Sequence, residues 1–115
     1  MYEIKYYDLP MSKKQPAKDF IDKQNDRMQA KIFRNLFVLR DKGKELKMPL
    51  VCYLDKGIYE LRTQLASDIT RIFYFFFDNE CIILTNGYTK KTQKLDSREF
   101  ELAEKYKKEY ESRKE

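Results

Sequence analysis

The sequence predicts an α+β fold: an N-terminal helical hairpin packed on a small antiparallel β-sheet, followed by a C-terminal helix. Three observations carry this. Apolar side chains recur at spacings of three, four or seven between Gln15 and Lys42, and again between Asp96 and Arg113. Between them lie three β-rich runs whose connectors are too short for anything but antiparallel hairpins. A chain of 115 residues with 42% hydrophobic and 37% charged side chains suits a single domain over residues 1–115 with one modest core.

Taken in order, Tyr2 to Tyr7 alternates charged and apolar residues, as in a short half-exposed strand, and Pro10 ends it. Pro16 suits a first helical position, and Ala17, Phe20, Ile21, Met28, Ile32, Leu36 and Leu39 supply the helical stripe. One helix of some 27 residues fits that stripe, and so do two, Pro16 to Lys23 and Asp26 to Asp41. Asn25 as an N-cap favours two, with Gly43 as the C-terminal stop. Lys44 to Lys56 reads as irregular, because Pro49 argues against a central strand. Ile58 to Leu65, Ile69 to Phe77 and Cys81 to Thr89 then form an antiparallel meander. Ile72 to Phe77 is apolar on both faces and needs cover on both, whereas Glu60, Arg62 and Gln64 alternate with Tyr59, Leu61, Thr63 and Leu65. Asp96 and Glu99 have capping-box spacing at the start of the last helix, whose stripe is Phe100, Ala103, Tyr106 and Tyr110.

Composition narrows the chemistry. The chain has no His, which excludes Ser-His-Asp triads, Cys-His dyads and His-containing zinc sites. Cys52 and Cys81 are too few for a four-thiolate site and read as reduced core residues. No metal and no cofactor is expected. The longest apolar run, Ile72 to Phe77, is far short of the ~20 residues of a membrane span, and Met1 to Pro10 has no signal-peptide character. The expected location is cytoplasmic, with no membrane partner. The net charge of +5 falls mainly on residues 1–50, which carry twelve basic and seven acidic side chains. A solvated helix face accounts for that excess without a ligand.

The segment that stands out comprises Glu60, Arg62, Arg71 and the run Tyr88-Thr89-Lys90-Lys91-Thr92-Gln93-Lys94. In an antiparallel meander these groups converge at one end of the sheet. Arg offers a planar fork for phosphate and Lys a compact charge, and both stabilise charge developing on a phosphodiester in transit. RNA supplies its own nucleophile in the 2′-hydroxyl, so positioning and proton transfer suffice to cleave it. Plainer readings stand beside this. Lys90, Lys91 and Lys94 could solubilise a loop, Arg62 and Glu60 could form a surface ion pair worth ~0–1 kcal/mol, and Tyr88 could be an ordinary strand residue instead of a base-stacking one. Arg71 is harder to dismiss, since a charge opening the most apolar strand needs a partner or a rim position. Glu60 is a candidate base only if its surroundings raise its pKa from about 4.3.

Gly57-Ile58-Tyr59-Glu60-Leu61-Arg62, Arg71-Ile72-Phe73-Tyr74-Phe75, Gly87-Tyr88-Thr89-Lys90-Lys91-Thr92-Gln93-Lys94 and Glu99-Phe100-Glu101-Leu102-Ala103 appear in that order. Over about residues 50 to 110 the chain resembles the HigB-like, phage-derived branch of the RelE/ParE superfamily of type II toxin-antitoxin toxins. The family often has Thr-Pro before the last helix, where this chain has Leu95-Asp96. The resemblance implies a RelE-like α+β toxin that cleaves mRNA, in many members on the translating ribosome, without metal. It implies neutralisation in a hetero-oligomer by a cognate antitoxin, often a HigA-like helix-turn-helix protein, so that DNA is contacted only through the antitoxin. By motif position, Arg62, Arg71, Lys90 and Lys91 would bind and activate the scissile phosphate, with Lys94, Gln93 and Tyr88 contacting RNA and Glu60 or a lysine of lowered pKa as base. Two other classes fit the same chain: a non-nucleolytic ParE-type inhibitor of DNA gyrase, and a basic nucleic-acid-binding module without catalysis.

Overall fold

The computed structural model describes residues 1–90 and 95–113. In it the helical stripe of residues 15–42 divides into α1 (Pro16–Asp22) and α2 (Asp26–Lys42). The break has a local cause. Asn25 is extended, and its side-chain oxygen accepts the Met28 N–H at 2.8 Å, starting a new helix where the first one ends. Gly43 stops α2 with a φ of +53°, and the rest of its neighbourhood also demands glycine, because a Cβ there would lie 2.1 Å from the Tyr2 ring. A short 3₁₀ turn, Gly43–Glu45, follows.

The strands are β1 (Glu3–Tyr6), β2 (Val51–Asp55), β3 (Ile58–Leu65), β4 (Asp68–Phe77) and β5 (Cys81–Lys90), and α3 spans Ser97–Arg113. They form one sheet in the order β1-β5-β4-β3-β2. The β4–β5 turn places Asp78 and Asn79 at φ values of +54° and +55°, the pairing of positive angles that matches the twist of a tight hairpin.

The expected fold class is corrected by this topology. The sheet is mixed and five-stranded, because β1 lies parallel to β5, with Glu3 opposite Cys81 and Tyr6 opposite Leu84. The helices α1 and α2 are not an N-terminal hairpin on a small antiparallel sheet. They lie within the connection from β1, at one edge, to β2, at the other. A parallel pair requires a long intervening chain, and residues 7–80 separate β1 from its partner. Residues 44–56 are likewise not wholly irregular: Pro49 sits just before β2, an edge strand that pairs only with β3, so it disturbs no ladder.

Helices cover both faces of the sheet. Ile72, Tyr74, Ile82, Leu84, Leu61 and Val51 pack with the buried residues of α1 and α2 in the larger core. Phe75 and Ile83 meet Tyr106 and Tyr110 of α3 on the other face, and Phe73 meets Ala103. Strand β4 is thus buried on both sides, as its sequence requires, with Ile72 to Phe75 at most 1% exposed. Asp96 caps α3 by accepting the N–H groups of Arg98 at 3.0 Å and Glu99 at 3.3 Å. The Glu99 side chain does not return to close the capping box; it accepts from Asn86 Nδ2 on β5 at 3.1 Å, fastening the helix to the sheet. At the far end of α3, Tyr7 donates to Glu109 at 2.7 Å, and Arg113 reaches Asp8 at 2.9 Å. Among the described residues no helix is long and apolar enough to cross a membrane.

Two predictions follow from the packing. Phe75→Ala removes a side chain enclosed between the sheet and α3 and should cost about 3–5 kcal/mol in urea unfolding, against about 1 kcal/mol for Asn25→Ala. Burial first, and then the bond to Glu109 and its charge, push the Tyr7 phenol up to about 12. An unfolded chain loses that proton near pH 10 while the folded one keeps it, so stability falls as pH rises from 10 to 12. Tyr7→Phe should flatten that part of the pH–stability curve.

Candidate functional site

On the α3 face of the sheet, alternation along β3, β4 and β5 sets Arg62, Arg71 and Tyr88 side by side in one cross-strand row. Toward the end of the sheet, the next row on that face is Gln64, Ile69 and Lys90. On the other side lie Glu60 opposite Phe73, with Cys52 beside Glu60 on β2. The first turns of α3 bury Phe73 through Phe100 and Ala103 and touch Tyr88, so helical cover ends at the Arg62–Arg71–Tyr88 row. The Tyr88 hydroxyl accepts the Asp96 N–H at 3.3 Å, which ties the row to the start of the helix.

Two guanidinium groups directly opposite each other repel, and Glu60 resolves the conflict. Its carboxylate is 1% exposed and reaches diagonally across the ladder to Arg71 Nη1, in close contact, while Arg62 Nε lies 3.4 Å from the same Oε1. Arg71 is 3% exposed and closes the inner end of the cluster; Arg62, more open, also directs Nη1 to Met48 Sδ at 3.6 Å. Arg71 Nε is buried and donates to nothing among the described residues. Lys90 is 8% exposed. Desolvation, and then the positive charge of Arg71, draw its ammonium below the ordinary lysine range, with Glu60 opposing and Arg62 reinforcing the shift. Burial raises the Tyr88 phenol.

Of the residues singled out in the sequence, Glu60, Arg62, Arg71, Tyr88 and Lys90 therefore meet on one face. Lys91, Gln93 and Lys94 lie outside the described residues. Sequence reasoning placed Cys52 in the core, whereas it is only partly buried and lies beside Glu60 on β2; β2 was not recognised, and the mix of apolar and aromatic residues in Val51-Cys52-Tyr53-Leu54 was the available signal. It also missed a groove of about 410 Å³ lined by Lys31, Asn35, Pro49, Leu50, Gln64 and Ile69 together with Arg62 and Arg71. Among the described residues no three His, Cys, Asp or Glu side chains gather as a metal site would require. The arrangement can hold an anion against a fixed fork of donors and offer a nearby amine for proton transfer.

Residues 19–108 match the family of phage-derived proteins described as Gp49-like (DUF891). The chain belongs to this family, which is a RelE/ParE-like toxin family. No curated protein sequence matches it.

Removing one partner of the Glu60–Arg71 pair leaves a buried charge uncompensated. Glu60→Ala should therefore destabilise the protein by about 3–5 kcal/mol, far more than loss of an exposed pair. The milder Glu60→Gln removes the anion that opposes the shift at Lys90, so the Lys90 pKa, followed by NMR at Cε, should fall further below the ordinary lysine range.

Proposed function

We propose that the chain is the toxin of a type II toxin-antitoxin pair, of the HigB-like branch, acting as a single domain that cleaves mRNA on the ribosome without a metal. The observation that carries this reading is the Arg62–Arg71–Tyr88 row with Lys90 beside it, at the margin of the cover that α3 gives the sheet. In the proposed reaction the substrate 2′-oxygen attacks the adjacent phosphorus and the P–O5′ bond breaks. The 2′-hydroxyl proton passes to a base, the 5′-oxygen takes up a proton, and a 2′,3′-cyclic phosphate remains. Arg62 and Arg71 hold the non-bridging oxygens as negative charge accumulates on them. Tyr88, held at its hydroxyl by the Asp96 N–H, offers a ring face to a neighbouring base. Lys91, Gln93 and Lys94 complete the RNA contacts in this proposal.

Of the two candidate bases, Lys90 fits better. The Glu60 carboxylate is engaged by both arginines, and its part is to set their spacing. Lys90 lies in the row next to the arginines, and burial together with the Arg71 charge lowers the pKa of its amine. A toxin of this kind requires an antitoxin, proposed to be a HigA-like helix-turn-helix protein encoded beside it.

Arg62 is the clean test, because its loss leaves Glu60 paired with Arg71. Arg62→Ala should reduce mRNA cleavage in a translating extract by about 10²-fold or more, with an unfolding midpoint close to that of the wild type. Primer extension reads the new RNA 5′ ends. Undiminished cleavage by Arg62→Ala would overturn the site, and DNA breaks without RNA ends would identify a gyrase inhibitor instead.

A further inference from the structure

The groove at the site does not end there. Strand β2 pairs with β3 only as far as Leu61, so the outer edge of β3 beyond Arg62 has no strand partner, and the groove passes around that edge. On one side are Arg62 and Arg71; on the other are Lys31 and Asn35 of α2, with Lys31 Nζ bonded to the Gln64 carbonyl on the bare edge and Asn35 donating to Thr63 Oγ1 at 3.0 Å. A second concavity of about 360 Å³ shares Lys31 and continues along α2 between Arg27, Ala30, Arg34 and Leu65. Arg27, Lys31 and Arg34 stand at i, i+4 and i+7 and so share one stripe of the helix. Ala30 and the half-buried Leu65 give this stretch a low apolar floor. Among the described residues, neither Arg27 nor Arg34 has an acidic partner, and both are exposed.

We infer that this trench is a second nucleic-acid subsite, a track for the phosphodiester backbone of single-stranded RNA flanking the bond at Arg62 and Arg71. The inference rests on the proposed ribonuclease reading and adds the path the strand takes away from the reacting phosphate. Three features select this occupant. The cations are separated along a line instead of gathered at one point, as serial phosphates require. The trench is continuous with the site through Arg62 and Lys31. Its walls carry no aromatic side chain, so it offers charge to the backbone and no stacking surface for bases. The excess positive charge of residues 1–50 thereby acquires a partner in its α2 portion.

The test uses the purified full chain and a fully 2′-O-methylated single-stranded RNA, which lacks the nucleophile and stays intact. Binding is followed by fluorescence anisotropy across a salt series. Arg27→Gln/Arg34→Gln removes two phosphate contacts, so the slope of log K against log salt should fall by about 1.4, with affinity weakened roughly tenfold or more near 0.1 M salt. Cleavage of unmodified mRNA, measured in a translating extract, should show a raised KM and an unchanged kcat. Lys5→Gln/Lys105→Gln, an equal charge change at the opposite sheet edge and on α3, should leave the slope alone. An unchanged slope in the α2 variant, or an equal fall in both variants, would overturn the track while leaving the catalytic reading standing. A track-dependent slope in a protein that cleaves no RNA would uphold the track and overturn the nuclease.

Discussion

Everything in this molecule is arranged around a strand that cannot face water on either side. Ile72, Tyr74 and Phe76 project to one face of β4 and Phe73, Phe75 and Phe77 to the other, so both faces of the sheet must be roofed. That single demand explains why two helices cross one face while α3 spans the other, and why β4 sits in the middle of the sheet. It also explains the aromatic character of the core, in which Tyr59 stacks on Tyr74 and Phe75 and Phe77 meet Tyr110 edge-on.

The site begins where the roof stops. Arg71 is the residue immediately before the apolar run, buried at 3% exposure, and such a position is tolerable only with a counter-charge. Glu60 supplies it from the neighbouring strand. The ion pair is then both structural and positional: it solves the burial of Arg71 and fixes the angle at which the fork is presented. Gly87 serves the same end from behind, since a Cβ there would lie 2.6 Å from the Phe20 ring of α1 and 3.0 Å from the Arg71 carbonyl. The backbone that carries Arg71 is thus braced by a helix on the opposite face.

Much of this was legible in the chain. The two-sided run Ile72 to Phe77, the alternation of Ile58 to Leu65, the Asn25 cap and the convergence of Arg62, Arg71, Tyr88 and Lys90 all follow from periodicities of two and 3.6 and from short connectors. What was hidden depended on distance in sequence. A four-residue strand such as β1 alternates but carries no information about which edge it joins, and its parallel pairing with β5 changed the fold class. Pro49 obscured β2, and with it the placing of Cys52 beside Glu60. The capping-box spacing of Asp96 and Glu99 was visible, yet Asn86 competes for the Glu99 carboxylate, a contact set only once α3 lies on β5.

The pairing of β1 with β5 also bears on how the protein comes into being. A nascent chain emerges from its amino end, so β1 is made first but has nothing to pair with until the β4–β5 hairpin has left the ribosome. During that interval α1 and α2 have no sheet to cover, and the apolar face of each strand waits for a roof. The order of synthesis therefore withholds the finished Arg62–Arg71–Tyr88 row until β5 has been made, and a chain interrupted before that strand presents no assembled site.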